Sequence, residues 1–162
     1  MSQFHFVMPT GSTALAGGAI ADFTDSGTIT DTVCMSKYRT AYFIVHWGVG
    51  ATGTITVTAI PIDSVGGTTT TAIPFQYSRI SATETQTDWA WATSNTYATT
   101  AGSSQIYIFK VSADDLPLVS GVKYEYVYMN LAQLVNSELL GGCIIMMADP
   151  RYDEDTLDAV TV

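Results

Sequence analysis

Basic side chains are scarce in this sequence, and their scarcity limits what the protein can bind. Six Lys and Arg residues stand against 15 Asp and Glu residues, which gives a net charge of −9 at pH 7. Nucleic-acid phosphates and anionic membrane surfaces are both held by clusters of Lys and Arg. The composition therefore argues against nucleic acid and against a membrane surface as partners.

Long apolar runs are also missing. The longest, residues 139–148, contains two glycines and falls short of the roughly 18 apolar residues that a membrane-spanning helix needs. The N-terminus lacks the basic segment followed by an apolar one that defines a secretory signal peptide. We therefore expect a protein that is made in a cytoplasm.

Cysteine is rare, with Cys34 and Cys143 as the two examples. Two isolated cysteines are too few to predict a metal site. Each lies among apolar neighbours, which is typical of buried free thiols. A disulfide between them is the alternative interpretation.

Motifs for catalysis are absent or incomplete. Residues 48–53 match the dinucleotide pattern G-x-G-x-x-G, but the β-forming sequence Thr-Ile-Thr-Val-Thr follows where that site requires a helix. A hairpin turn is therefore the prediction for these glycines. His46 lies beside Trp47 in an apolar segment, which favours a core or interface histidine, and no Gly-x-Ser-x-Gly motif is present. We expect no enzyme and no cofactor.

Two groups of carboxylates have structural interpretations. Ser112 can cap a short helical turn, and Asp114 and Asp115 would then lie near its positive end. Residues 153–155 are Asp-Glu-Asp, and loose Ca²⁺ binding is the alternative for them, but their spacing is not that of an EF-hand. We predict no metal site at either place.

Hydroxyl-bearing and β-branched residues are abundant instead. The chain has 24 Thr and 13 Ser, while 47% of its residues are hydrophobic. Thr is β-branched and suits the pleated surface of a sheet. Alternating polar and apolar residues between turn signals predict strands along the whole chain. The predicted strands are residues 4–8, 19–24, 28–35, 40–47, 54–62, 72–81, 104–111, 122–131 and 141–148, with one more short strand inside the irregular segment 81–102.

This spacing predicts an all-β fold, namely an antiparallel β-sandwich or jelly roll with about eight to ten strands and at most one helical turn. The run of apolar residues at 40–47 indicates a strand that is central or buried on both faces. Pro61 and Pro74 indicate sheet edges or strand ends. Residues 1–10 are predicted to be an N-terminal arm, residues 11–148 the sandwich, and residues 149–162 an acidic C-terminal arm holding five of the 15 acids.

The order of these segments resembles that of small tailed-phage virion proteins of the capsid decoration, or cement, type. The resemblance covers most of the chain, and the sequence Pro-Arg-Tyr at residues 150–152 is its most distinctive motif. The segments that carry it are residues 41–47, 48–53, 54–59, 73–80, 88–89, 106–111, 114–116, 124–131 and 149–152.

The resemblance implies a β-sandwich on the outside of a capsid, bound to the major capsid protein, often as a homotrimer, with synthesis in the host cytoplasm and no catalysis. Aromatic side chains and arm residues would then form the contacts. The candidate interface residues are Phe4, Phe6, Trp89, Trp91, Tyr124, Tyr126, Tyr128, Arg151, Tyr152 and Leu157.

Two other functions remain open from the sequence. A tail or baseplate component would have the same composition but a ring-like assembly. A carbohydrate-binding β-sandwich would present Trp89, Trp91 or the tyrosines Tyr124, Tyr126 and Tyr128 as a stacking platform for sugars.

Overall fold

The chain folds into two large antiparallel β-sheets packed face to face and one separate two-stranded sheet, and the predicted all-β sandwich is confirmed. In the computed structural model, the described residues are 4–7, 21–22, 28–49, 52–64, 66–135 and 137–151. Most of them lie in strands or in short connections between strands. None of them belongs to a helix long and apolar enough to cross a membrane.

Fourteen strands are numbered in chain order. They are β1 (His5–Val7), β2 (Ala21–Asp22), β3 (Thr28–Ile29), β4 (Val33–Cys34), β5 (Tyr38–Val49), β6 (Thr54–Ile62), β7 (Gln76–Ile80), β8 (Ala90–Trp91), β9 (Thr96–Ala98), β10 (Gln105–Ser112), β11 (Leu118–Val119), β12 (Val122–Lys123), β13 (Tyr126–Val135) and β14 (Leu140–Pro150).

Each long strand belongs to one of two large sheets, which we call sheet A and sheet B. Sheet A has the order β1-β14-β5-β10-β7-β8, with β2 also paired to β14. Sheet B has the order β3-β13-β6-β9, with β4 also paired to β13. Strands β5, β7, β10 and β14 of sheet A alternate along the chain with β6, β9 and β13 of sheet B, so the chain crosses repeatedly between the layers.

The hairpin predicted at residues 48–53 is wrong. Strand β5 belongs to sheet A and β6 to sheet B, so the chain passes from one sheet to the other between them. Strands β5 and β6 each have one buried face. These two faces pack against each other in the core because the strands lie in opposite sheets. Gly53 is needed at this crossing, because a Cβ atom there would overlap the carbonyl oxygen of Ser137.

Aromatic side chains on the inner face of sheet A form the centre of the core. Trp47 stacks on Tyr107 with ring centroids 5.1 Å apart, and Phe75 meets Phe109 edge-on at 5.9 Å. The indole N–H of Trp47 donates a hydrogen bond of 2.8 Å to the carbonyl oxygen of Gly102. This core is rigid, because its large rings pack closely and their polar atoms have hydrogen-bond partners.

Alternation along β6 is confirmed, because Ile55, Val57 and Ala59 are fully buried against the core. Pro61 accepts a hydrogen bond from the backbone N–H of Thr70 on the side away from β13. The backbone nitrogen of Pro61, which has no hydrogen to donate, therefore faces an irregular segment and not a paired strand. This agrees with the predicted position of Pro61 at a sheet edge or strand end.

The strand predicted at residues 28–35 is two strands. Residues 30–32 separate β3 from β4. At this break the backbone N–H of Thr30 donates to the carbonyl oxygen of Met129, and the backbone N–H of Met129 donates to Oγ1 of Thr30 over 2.9 Å. A buried hydroxyl thus completes the pairing of β13 where the neighbouring strand is interrupted.

Other segment boundaries shift modestly. The strand predicted at 122–131 is divided into β12 and β13, and the irregular segment 81–102 holds β8 and β9. The Ser112 cap is confirmed, since its hydroxyl accepts the backbone N–H of Asp114 at the start of a 3-10 turn, Ala113–Asp115.

Parts of both predicted arms belong to strands of sheet A. Strand β1, inside the predicted N-terminal arm, pairs with β14 of the same chain. Strand β14 continues to Pro150, two residues into the predicted C-terminal arm. The remainder of that arm, residues 152–162, lies outside the described residues.

Both cysteines are free. Cys143 is buried on the inner face of β14, where burial and the charge of Asp31 raise the pKa of its thiol to about 12. Cys34 is half-buried, because it lies opposite Tyr126 on the outer side of sheet B. The prediction of a buried thiol is confirmed for Cys143 and is wrong for Cys34.

Candidate interaction face

The outer face of sheet A carries the side chains of its central strands that do not enter the core. Along β5, Ala41, Phe43 and Val45 point inward and are fully buried. Tyr42, Ile44 and His46 alternate with them and must point outward. The prediction of a central strand is confirmed, whereas burial on both faces is not achieved within one chain.

Cross-strand register extends these outward side chains into rows. Ile44 lies opposite Ile144 of β14 on one side and Ile108 of β10 on the other. In the next row, Tyr42 lies between Met146 and Lys110. Residues opposite one another in an antiparallel pair are close enough for their side chains to touch, so each row is a continuous surface.

We call this surface the apolar face. Its members are the outward apolar residues of five neighbouring strands of sheet A. They are Phe6, Tyr42, Ile44, Ile80, Ile106, Ile108, Ile144 and Met146.

Several of these side chains meet solvent over much of their area. Phe6 is 63% exposed and Ile144 is 40% exposed, while Ile44 and Ile108 are half-buried. Single exposed apolar residues are ordinary on protein surfaces, but contiguous apolar patches mark interaction sites. The rows on sheet A form a contiguous apolar patch.

The apolar face has little charge. Its charged neighbours lie at one end, where Lys110 is opposite Tyr42 and the exposed Asp149 of β14 lies near the Tyr42 hydroxyl. His46 lies at the far end, between Gly142 and Ile106. A Cβ atom at Gly142 would lie 3.1 Å from Nε2 of His46, so the glycine makes room for the imidazole. Covering such a face costs little desolvation of charge.

Two tryptophans stand at the margin of the apolar face. Trp89 reaches Tyr42 with ring centroids 6.2 Å apart, and Trp91 lies opposite Gln76 at the sheet edge. Burial and the nearby charge of Asp149 raise the pKa of the Tyr42 hydroxyl. The loop before β8 therefore folds over one end of sheet A and leaves the middle of the apolar face open.

The outer face of sheet B has a different chemistry. Its outward apolar residues are Ile60, Ala132 and Leu134, and they do not form a continuous aliphatic row. The other outward side chains carry hydroxyls or amides, and they include Thr56, Thr58, Thr96, Tyr126, Tyr128 and Asn130. Such groups are already well solvated, so covering them yields less free energy than covering aliphatic carbon.

The sequence-predicted interface residues are divided between several places. Phe4, Phe6, Trp89 and Trp91 are exposed, the last two at 42% and 58%. Arg151 is also exposed, and its backbone N–H donates to the carbonyl oxygen of Lys37.

The predicted tyrosine group does not act as one surface. Tyr124 is 6% exposed, whereas Tyr126 and Tyr128 are half-buried on sheet B, where burial raises the pKa of the Tyr128 hydroxyl. The side chain of Tyr124 is therefore unavailable to a partner. Tyr152 and Leu157 lie outside the described residues.

Sequence reasoning missed the aliphatic centre of the apolar face. The signal was present in two uninterrupted apolar runs, residues 41–45 and 143–148. In a strand, alternate residues of such a run must point away from the core of a two-layer sandwich. The predicted interface residues were instead chosen mainly among aromatic side chains, and those on sheet A lie at the margin of the apolar face.

Within the described ranges, no three His, Cys, Asp or Glu side chains are placed to hold a metal ion. No family model matches the chain, and the comparison with curated proteins also finds no match. Among solved structures, the chain is similar to the SPBc2 prophage-derived protein YomS, with 8% identity and a TM-score of 0.46 over 92% of this chain and 96% of that one. A likeness of this size carries no argument about function, which we base on the chain's own surfaces.

Proposed function

We propose that this chain is a non-enzymatic structural protein of a tailed-phage virion, and that it binds the outside of the capsid as a decoration protein through the apolar face. The observation that carries the proposal is the apolar face of sheet A, whose central row is Ile144, Ile44 and Ile108. An apolar surface with little charge suits a long-lived contact with another protein.

The body of the protein suits a role under mechanical load. The stacked rings of Trp47, Tyr107 and Phe109 support sheet A from within, so the apolar face is held in shape before it meets a partner. A preformed surface loses little conformational entropy on binding. Strength of attachment then depends on how closely the partner packs against these side chains.

The proposed partners are the major capsid protein and other copies of this chain. A homotrimer would cover part of each apolar face and leave the remainder for the capsid. The layout of the sequence, which resembles capsid decoration proteins, supports this arrangement. The proposed location is the capsid exterior, after synthesis in the host cytoplasm.

Co-sedimentation with purified empty tailed-phage capsids tests the proposal. We expect saturable binding at a fixed ratio to the major capsid protein, and light scattering of the free protein should give a trimer. Absence of binding to capsids from the cognate phage would contradict the proposal. Ring-shaped assemblies that bind purified tails in place of capsids would instead support a tail or baseplate component.

A further inference from the structure

A second surface feature lies at one end of sheet A, where it shares Lys110 with the Tyr42 row of the apolar face. It is a pocket of about 400 Å³ beside the exposed ring of Trp91. Its lining residues are Thr40, Gln76, Trp91, Lys110, Ser112 and Asp115.

Sheet register and one helical turn fix the geometry of this pocket. Gln76 of β7 lies directly opposite Trp91 of β8 and directly opposite Lys110 of β10. Ser112 ends β10 and caps the 3-10 turn that carries Asp115 to the rim. Trp91, an amide, an ammonium group and a carboxylate are thus brought together by backbone pairing.

Two hydroxyls of the pocket are already used by the protein, since Ser112 accepts the backbone N–H of Asp114 and Thr40 donates to Oδ2 of Asp149. Across the described parts of the chain, the side chains of Gln76, Lys110 and Asp115 make no hydrogen bond or ion pair. Burial and the charge of Asp114 raise the pKa of the Asp115 carboxyl group. These three side chains are half-buried, so their polar groups still face solvent and can contact a ligand.

The chemistry of these groups selects a class of ligand. The indole ring of Trp91 is 58% exposed and offers an apolar stacking surface with one polar N–H donor. A carboxylate accepts two hydrogen bonds, while an amide both donates and accepts. A ligand whose ring has one apolar face and carries hydroxyl groups can stack on the indole and form hydrogen bonds with the carboxylate and the amide. An anionic ligand fits less well, because Asp115 opposes Lys110.

We propose that the Trp91 pocket binds a neutral pyranose sugar. The ring stacks on Trp91, adjacent hydroxyls donate to Asp115, and Gln76 and Lys110 donate to ring or hydroxyl oxygens. Sugar binding at this pocket needs neither a trimer nor a particle, so it can be measured on the free protein.

NMR titration of the free ¹⁵N-labelled protein tests the site, because the chain has three tryptophans and hence three indole N–H signals. The probes are methyl glycosides of glucose, galactose and mannose, and neutral trisaccharides of each. At least one probe should shift the Trp91 indole signal, assigned with Trp91→Phe, and leave the signal of buried Trp47 unchanged. No saturable shift with any probe would overturn the proposal.

Two matched variants locate the binding. Trp91→Ala should weaken sugar binding at least tenfold, whereas Trp89→Ala, which alters the exposed tryptophan outside the pocket, should leave it within about twofold. Asp115→Asn should weaken it several-fold. Equal losses in Trp89→Ala and Trp91→Ala would contradict the location, and tighter binding of glucuronate or inorganic phosphate would contradict the neutral ligand. Thermal melting verifies that each variant is folded.

Discussion

The two outer faces of the sandwich cover the same core but differ in chemistry. The central row of sheet A is Ile144, Ile44 and Ile108, whereas the rows of sheet B pair Thr58 with Asn130 and Ile60 with Tyr128. Both sheets alternate inward and outward residues in the same way. A continuous aliphatic row on the outer face is therefore not required to form a layer of this sandwich, because sheet B forms without one.

The difference separates two uses of apolar residues. Inward residues such as Val45 are needed to fold the chain, and outward residues such as Ile44 are needed for what the folded chain contacts. Five experiments test this account.

The largest effect is expected inside the core shared by both sheets. Phe109 is fully buried between Tyr107 and Phe75. Phe109→Ala should lower the free energy of unfolding by about 3–5 kcal/mol, as measured by urea denaturation. Its neighbour Ile108 lies on the apolar face, so Ile108→Ala should cost much less stability. Equal losses from the two variants would remove the distinction between inner and outer faces.

Charge substitution on the two outer faces should give unequal losses of binding. Ile44 and Thr58 are both half-buried and lie in central strands of their sheets. Ile44→Glu should weaken capsid binding about 30-fold, or about 2 kcal/mol, because a buried carboxylate has no partner there. Thr58→Glu should bind within about threefold of the unaltered protein. A larger loss in Thr58→Glu would place the contact on sheet B.

Loss of one hydroxyl should destabilise sheet B without altering its surface. The Oγ1 atom of Thr30 is buried and accepts the backbone N–H of Met129. Thr30→Val should cost about 1–3 kcal/mol in urea denaturation, because it leaves that N–H unpaired. Thr30→Ser keeps the oxygen and should recover most of the loss. Similar losses in both variants would show that the hydrogen bond contributes little.

The last comparison concerns the two thiols, with Cys143 buried on the inner face of sheet A and Cys34 on the outer side of sheet B. With a thiol reagent at pH 8, Cys34 should react in the folded protein, while Cys143 should react only after unfolding. Fast reaction of two thiols in the folded state would contradict the burial of Cys143.

The raised pKa of Cys143 also gives a pH dependence. Above about pH 8.5 the unfolded chain releases the thiol proton that the folded chain retains up to about pH 12. The unfolded state then binds fewer protons, so stability falls as pH rises, by up to ~1.4 kcal/mol per pH unit. Cys143→Ala should show a shallower fall than the unaltered protein in alkaline urea denaturation.

The sequence predicted the layers of this protein better than its connections. Period-two patterns identified β6 and β10, since each has a buried row and an exposed row. They could not distinguish a hairpin at residues 48–53 from a crossing between sheets, because both need glycine and both join two strands. The break at Thr30 depends on a hydrogen bond to Met129, which is distant in the chain.

The candidate site was predicted only at its margin. Phe6, Trp89 and Trp91 were selected as aromatic side chains, and the structure places them around the apolar face and the pocket. Ile44 and Ile144 were not selected, because an aliphatic residue within an apolar run is usually buried. Only the pairing of β5 with β14 reveals that their outward side chains form one surface.

Hydroxyl-radical footprinting of free and capsid-bound protein tests the central claim most directly, because it uses native side chains on both faces. Tyr42 and Met146 report on sheet A, and Tyr126 and Tyr128 report on sheet B. We predict that oxidation of Tyr42 and Met146 falls several-fold on binding while that of Tyr126 and Tyr128 is unchanged. Protection of the sheet B tyrosines with Tyr42 and Met146 still oxidised would contradict the account.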